Sequence, residues 1–266
     1  MFIIRLMWLG LIPVCLAGAP IVFKDEGHLQ RISELKCEQY ITKTILFNQD
    51  SRRVVKGQPA KQGQFPFMGT PDRQGKLVEI LKITRHPAYN FVARYDDIAV
   101  MELAEEVVFT QYIYPACLWS RGDIDLVEKV ATIAGWGVAN YALRKTANHL
   151  QYGEVTIIDN NICNISLSDI INLSWNHGVD DKQICAVNAV EGTDTCQGDS
   201  GGPLAYYTLP EGYSVKKFPS VVGVTSFGLG CGYVPGVYMR VSSYIDWIEK
   251  VVWPNETLDW RTPNGV

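Results

Sequence analysis

The sequence predicts an all-β protein that closes with one helix, and three observations carry that reading. Short runs rich in Val, Ile, Thr and aromatic residues recur along the chain, bounded by Gly, Pro, Asn and Asp. Their spacing suits an antiparallel barrel or sandwich, and no internal repeat or low-complexity tract interrupts it. Only the last segment changes period, with Ile245, Ile248 and Val252 at helical spacing.

The chain opens with MFIIRLMWLGLIPVCLAGAP, in which Arg5 precedes an apolar run, Leu6 to Leu16, and a small-residue exit, Ala17-Gly18-Ala19. This predicts a secretory signal peptide over residues 1–19, because the run is too short to span a bilayer. A secreted, extracellular protein is the expectation. Residues 20–53 form a polar pro-segment with one cysteine, ending in Ser51-Arg52-Arg53, a basic cleavage site.

The predicted strands then follow in order. They are FPFMG (Phe65 to Gly69), LVEILKITR (Leu77 to Arg85), DIAVMEL (Asp97 to Leu103) and VATIAGWG (Val130 to Gly137). LQYGEVTII (Leu150 to Ile158), SVVGVTSFG (Ser220 to Gly228) and GVYMRV (Gly236 to Val241) complete the set. In the terminal helix, Ser243 with Asp246 can cap the start and Pro254 ends the run.

Composition narrows the function classes. Hydrophobic residues are 47% and charged residues 20%, enough for a sizeable core, and the net charge of -4 is too mild to suggest a nucleic-acid surface or a polybasic membrane patch. Of seven cysteines, Cys15 leaves with the signal peptide. The others, Cys37, Cys117, Cys163, Cys185, Cys196 and Cys231, suit disulfides in an oxidising compartment. No CxxC pair or His/Cys cluster occurs, so neither a metal nor a cofactor is expected. Sequons at Asn164, Asn172 and Asn255 fit a secreted surface.

Thr193 to Leu204, TDTCQGDSGGPL, is the stretch that carries chemistry. A serine hydroxyl is a poor nucleophile until a base takes its proton. The glycine two residues earlier lets backbone N–H groups turn toward a developing oxyanion, which makes Gly198 and Ser200 the donors. With Cys196-Gln197-Gly198-Asp199-Ser200-Gly201-Gly202-Pro203, the chain resembles the trypsin-like serine endopeptidases of the chymotrypsin fold, of the insect regulatory, snake-like type. Tyr95-Asp96-Asp97-Ile98-Ala99-Val100, Ala134-Gly135-Trp136-Gly137 and Pro235-Gly236-Val237-Tyr238 match further family segments in the right order, and the likeness runs from Arg53 to about Trp253.

The resemblance implies a double antiparallel β-barrel with a C-terminal helix, and roles for individual residues. Asp97 would orient the catalytic histidine. Asp194 would form the floor of the primary pocket and pair with substrate Arg or Lys, between walls at Gly228 and Gly236. Ser226-Phe227-Gly228 would pair with the substrate backbone. Cleavage after Arg53 would free the α-amino group of Val54 to bury against Asp199. The implied disulfides are Cys196–Cys231, Cys163–Cys185 and Cys37–Cys117, the last holding the cleaved pro-segment. A protein or peptide substrate, an upstream activating protease and protein inhibitors are the implied partners.

The family's triad histidine has no counterpart. Of His28, His86, His149 and His177, only His86 lies between Val54 and Asp97. Its setting, Arg85-His86-Pro87-Ala88-Tyr89, matches a different family segment and reads as a strand-end surface histidine. Asp97 follows Val54 by only 43 positions, far fewer than in the family. One contiguous deletion between Gly69 and Leu77, such as a skipped exon, removes the histidine together with a flanking disulfide. It also opens the first barrel.

The expected layout is therefore a truncated first barrel (54–117), a complete second barrel with the helix (118–253) and a tail (254–266). Losing the base costs about a millionfold in turnover, against roughly 10³–10⁴-fold that an oxyanion hole retains over water. Three readings follow: a secreted zymogen cutting after Arg or Lys but inactive as written, a non-catalytic homologue acting as a regulatory binding protein, and a chain that does not fold stably.

Overall fold

The computed structural model describes residues 31–45, 58–60, 64–65, 67–68, 78–110, 112–140, 145–146, 149–171, 175–188, 199–208, 218–228 and 234–256. In chain order these form α1 (Ile32–Ile45), β1 (Gln58–Pro59), β2 (Ile80–Arg85), β3 (Ala99–Leu103), β4 (Cys117–Leu118), β5 (Val130–Gly135), β6 (Val138–Asn140) and β7 (Lys145–Thr146). Next come β8 (Gln151–Ile158), α2 (Asn160–Ser166), β9 (Gln183–Asn188), β10 (Pro203–Thr208), β11 (Phe218–Phe227), β12 (Gly236–Arg240) and α3 (Val241–Val252).

Six antiparallel strands close a barrel in the order β8-β5-β10-β11-β12-β9, with β9 returning to β8. Alternation along each strand sends one set of side chains inward. Ile133, Val155, Ile157, Ile184, Ala186, Leu204, Val222 and Tyr238 fill the interior. Val221 and Met239 join a second cluster, where Tyr244 and Ile248 of α3 seat the helix on the barrel together with Ile98. The expected second barrel and closing helix are both present.

The first half contributes much less. Among the described residues its sheet is the two-stranded ribbon β2–β3. β3 buries Val100, Met101 and Leu103, whereas Ile80, Leu81 and Ile83 of β2 are exposed. Among the described residues the first half thus forms a ribbon and no closed barrel, which agrees with the expected incomplete first barrel.

Several local expectations need correction. The polar segment before Arg53 contains α1. Its inner face, Ser33, Cys37, Tyr40 and Ile41, has helical spacing but includes a serine and a cysteine, which mutes the apolar signal. The helix packs Ile41 against Tyr114, Cys117 and Phe218. Cys37 is disulfide-bonded to Cys117. Its first turn meets α3, where Glu249 accepts from the Ser33 N–H at 2.9 Å and from Arg31 Nη2 at 3.1 Å.

Phe65 and Phe67 lie in a bend and a turn, not a strand. β9 and β10 were not anticipated. α3 starts at Val241 with Arg240 as N-cap and no side-chain cap. Ser243 Oγ donates instead to the Asp181 carbonyl at 3.2 Å, and Asp246 pairs with Arg31.

His86 is half-buried and not the fully exposed surface residue expected. Its ring packs edge-on against Tyr244 and Trp247, with centroids at 5.2 and 5.0 Å. Its Nδ1 accepts from the Ala88 N–H at 3.3 Å and lies 3.5 Å from Asp96 Oδ1. The Asn164 side chain is also engaged internally: its Oδ1 accepts from the Val179 N–H at 2.7 Å. Asn255 is exposed, and Asn172 lies outside the described residues.

Candidate active site

Ser200 is presented at the corner of a tight turn. Gly202 N–H donates to the Asp199 carbonyl at 2.8 Å, which closes a four-residue turn over Asp199–Gly202. Its third residue, Gly201, has φ 78, the left-handed value that a turn of this type reserves for glycine. Ser200 is exposed as a result.

The turn is fastened to β11. Gly201 N–H donates to the Thr225 carbonyl at 2.7 Å and Thr225 N–H to the Gly202 carbonyl at 2.9 Å, so two residues of the turn oppose one of the strand. Thr225 Oγ1 adds a bond to the same Gly202 carbonyl at 3.1 Å. Thr225 is buried, and sequence reasoning missed it.

The next residue of β11 carries the link to the first half. Ser226 Oγ donates to Asp97 Oδ2 at 2.7 Å. Asp97 is thereby brought to the strand position adjoining the serine turn. Two residues further on, a Cβ placed on Gly228 would lie 3.7 Å from the Gly236 Cα, so the two expected pocket walls face one another across a narrow gap.

Asp199 turns its carboxylate the other way. Its Oδ1 accepts from the Gly137 N–H at 2.7 Å. A Cβ on either Gly135 or Gly137 would collide with this carboxylate, which explains why both flanks of Trp136 are glycine. The Ala-Gly-Trp-Gly segment was noticed in the sequence, but its service to Asp199 was not.

The structure brings together Asp97, Ser226 and the Asp199–Gly202 turn, with Gly228 and Gly236 alongside. Arg53, Val54, Asp194, Cys196, Gly198 and Cys231 lie outside the described residues, and with them the expected floor, oxyanion donor, activation site and Cys196–Cys231 bond. Cys163–Cys185 is formed as expected. His86 faces Asp96 and α3, and the His177 ring lies 6.3 Å from that of Tyr95. The His149 carbonyl accepts from Gln151 Nε2.

Burial lowers the His86 pKa, against the opposing pull of Asp96. The Tyr244 hydroxyl beside it is pushed well up, chiefly by burial. Among the described residues no group of side chains could hold a metal ion, and no helix is long and apolar enough to cross a membrane.

Comparison with known proteins agrees with this geometry. The family model described as Trypsin matches residues 54–248. Serine protease snk of Drosophila melanogaster is 40% identical over 176 residues, 65% of this chain and 38% of that protein. Serine protease Hayan of the same organism is 36% identical over 181 residues, 67% of this chain and 28% of that protein. The clotting factor G beta subunit of Tachypleus tridentatus is 35% identical over 184 residues, 68% of this chain and 58% of that protein. The chain thus spans between about a quarter and three-fifths of these relatives. Among solved structures, mouse neuropsin, a serine protease, aligns with TM-score 0.54 and 27% identity over 65% of this chain and 71% of its own.

Proposed function

Because this chain belongs to the trypsin family, we propose that it is a secreted zymogen of Arg/Lys-specific serine endopeptidase type that lacks its general base as written and does not hydrolyse peptides. One observation carries the reading. Asp97 is held by Ser226 beside the serine turn, whereas His86, the one histidine between Val54 and Asp97 in the sequence, packs against Tyr244, Trp247 and Asp96. A hydroxyl without a base stays a weak nucleophile however well it is placed.

The rest of the machinery is consistent with a peptidase scaffold. Cleavage after Arg53 releases the Val54 amino group, whose partner is the Asp199 carboxylate next to Ser200. Asp194 supplies the counter-charge for a basic side chain between Gly228 and Gly236. The Cys37–Cys117 bond keeps α1 on the body of the protein after that cut.

The test is labelling of Ser200 by a fluorophosphonate probe after cleavage at Arg53. No labelling is expected, and robust labelling overturns the reading. A second reading, a regulatory protein that binds basic peptides without cutting them, is favoured by the facing glycines of the pocket. Genomic sequence between the codons for Gly69 and Leu77 separates the two: an exon encoding a histidine supports a parent enzyme, and its absence supports the binding protein.

A further inference from the structure

Beside the serine turn, three side chains form a stack that the family reading does not use. The Arg94 guanidinium lies over the Phe227 ring, 4.8 Å from its centroid. Trp175 packs edge-on against the same ring at 5.1 Å. Fully buried Gln183 fixes both ends: its Nε2 donates to the Arg94 carbonyl at 2.8 Å, and its Oε1 accepts from Trp175 Nε1 at 3.3 Å. Arg94 is therefore anchored at its backbone by a buried side chain, and its guanidinium rests on an aromatic face. Among the described residues, none of the ion pairs involves Arg94.

Phe227 sits between Ser226 and Gly228, the segment expected to receive a peptide as an added strand. Side chains alternate across a strand, so Phe227 faces away from the side shared by Ser226 and Gly228. A peptide whose basic side chain enters the pocket walled by Gly228 turns the preceding side chain, and the one two places further back, toward Phe227. There it meets a guanidinium in place of a bare aromatic ring. Resting on the proposed peptide-binding reading, we propose that Arg94 is a specificity-determining residue that selects peptides carrying Asp or Glu immediately before the Arg or Lys.

The test uses the full chain cleaved after Arg53 and fluorescein-labelled tetrapeptide amides, with binding read by anisotropy. Ala-Ala-Asp-Arg is expected to bind about three- to fivefold more tightly than Ala-Ala-Ala-Arg, the scale of a partly exposed ion pair. Ala-Ala-Lys-Arg should bind more weakly, and Ala-Asp-Ala-Arg should gain nothing because its carboxylate points to the other face. Arg94→Lys should keep the preference, Arg94→Ala should erase it and Arg94→Glu should invert it. Equal binding of all the arginine peptides, or a preference that survives Arg94→Ala, overturns the proposal and leaves the basic-residue pocket standing. Failure of every arginine peptide to bind, or equal binding of Ala-Ala-Asp-Ala, overturns both.

Discussion

Ser226 and Asp97, 129 positions apart in sequence, are joined by a 2.7 Å hydrogen bond between hydroxyl and carboxylate. The bond ties the approach to β3 onto the end of β11. Ser226→Ala is expected to lower stability by about 1 kcal/mol, since the acceptor is charged but Asp97 is exposed. Urea unfolding checks this: the midpoint should fall while the slope stays constant.

The Asp199 carboxylate occupies the space that a side chain at residue 135 or 137 would need. Gly135→Ala should cost about 1–3 kcal/mol, the usual penalty for overpacking. In an Asp199→Ala background the same change should cost much less. A double-mutant cycle with no coupling would show that the collision is relieved elsewhere.

Benzamidine carries the amidinium that a basic-residue pocket recognises. Weak binding is expected in the chain cleaved after Arg53, and Asp194→Ser should abolish it. Calorimetric titration decides, and equal affinity in the variant refutes Asp194 as the floor.

His86 is packed among Tyr244, Trp247, Asp96 and Lys182, and its pKa is lowered from the ordinary 6.5, mainly by burial. As pH falls below that value, the unfolded chain takes up this proton before the folded chain does. The His86 contribution is complete above 6.5 and is lost as pH falls toward the depressed folded value. Thermal midpoints of the parent and of His86→Phe should therefore converge or cross below pH 6.5. Parallel curves across that window would contradict the assignment.

The Cys37–Cys117 bond closes a loop of sequence separation 80. The double change Cys37→Ser/Cys117→Ser should cost about 2–4 kcal/mol. After cleavage at Arg53, α1 would then be held by packing and by polar contacts that include those of Arg31, Glu34 and Lys36. Size-exclusion chromatography in high salt should release it from the double variant but not from the parent.

What the sequence made legible was periodic or motif-bound. The strands of the second barrel alternate strongly, and the turn around Ser200 is written in glycines whose positions permit little else. α1 was invisible because its buried face includes Ser33 and Cys37 and its docking relies on charges 215 or more positions away, Asp246 and Glu249. β9 and β10 are short runs with polar residues at intervals, legible only once their neighbours in the barrel are known. Thr225, Gln183 and Arg94 matter through contacts across the fold, and local patterning carries no trace of those. The start of α3 was misplaced because a capping box requires the serine to be free, whereas Ser243 is spent on Asp181.

The ribbon β2–β3 leaves Leu81 63% and nearby Phe91 88% exposed. Such an edge offers backbone donors and acceptors to any extended chain it meets, including another copy of itself. The greatest concentration at which this protein stays clear in solution is then governed by a few greasy residues on one short hairpin, however sound the barrel beside it.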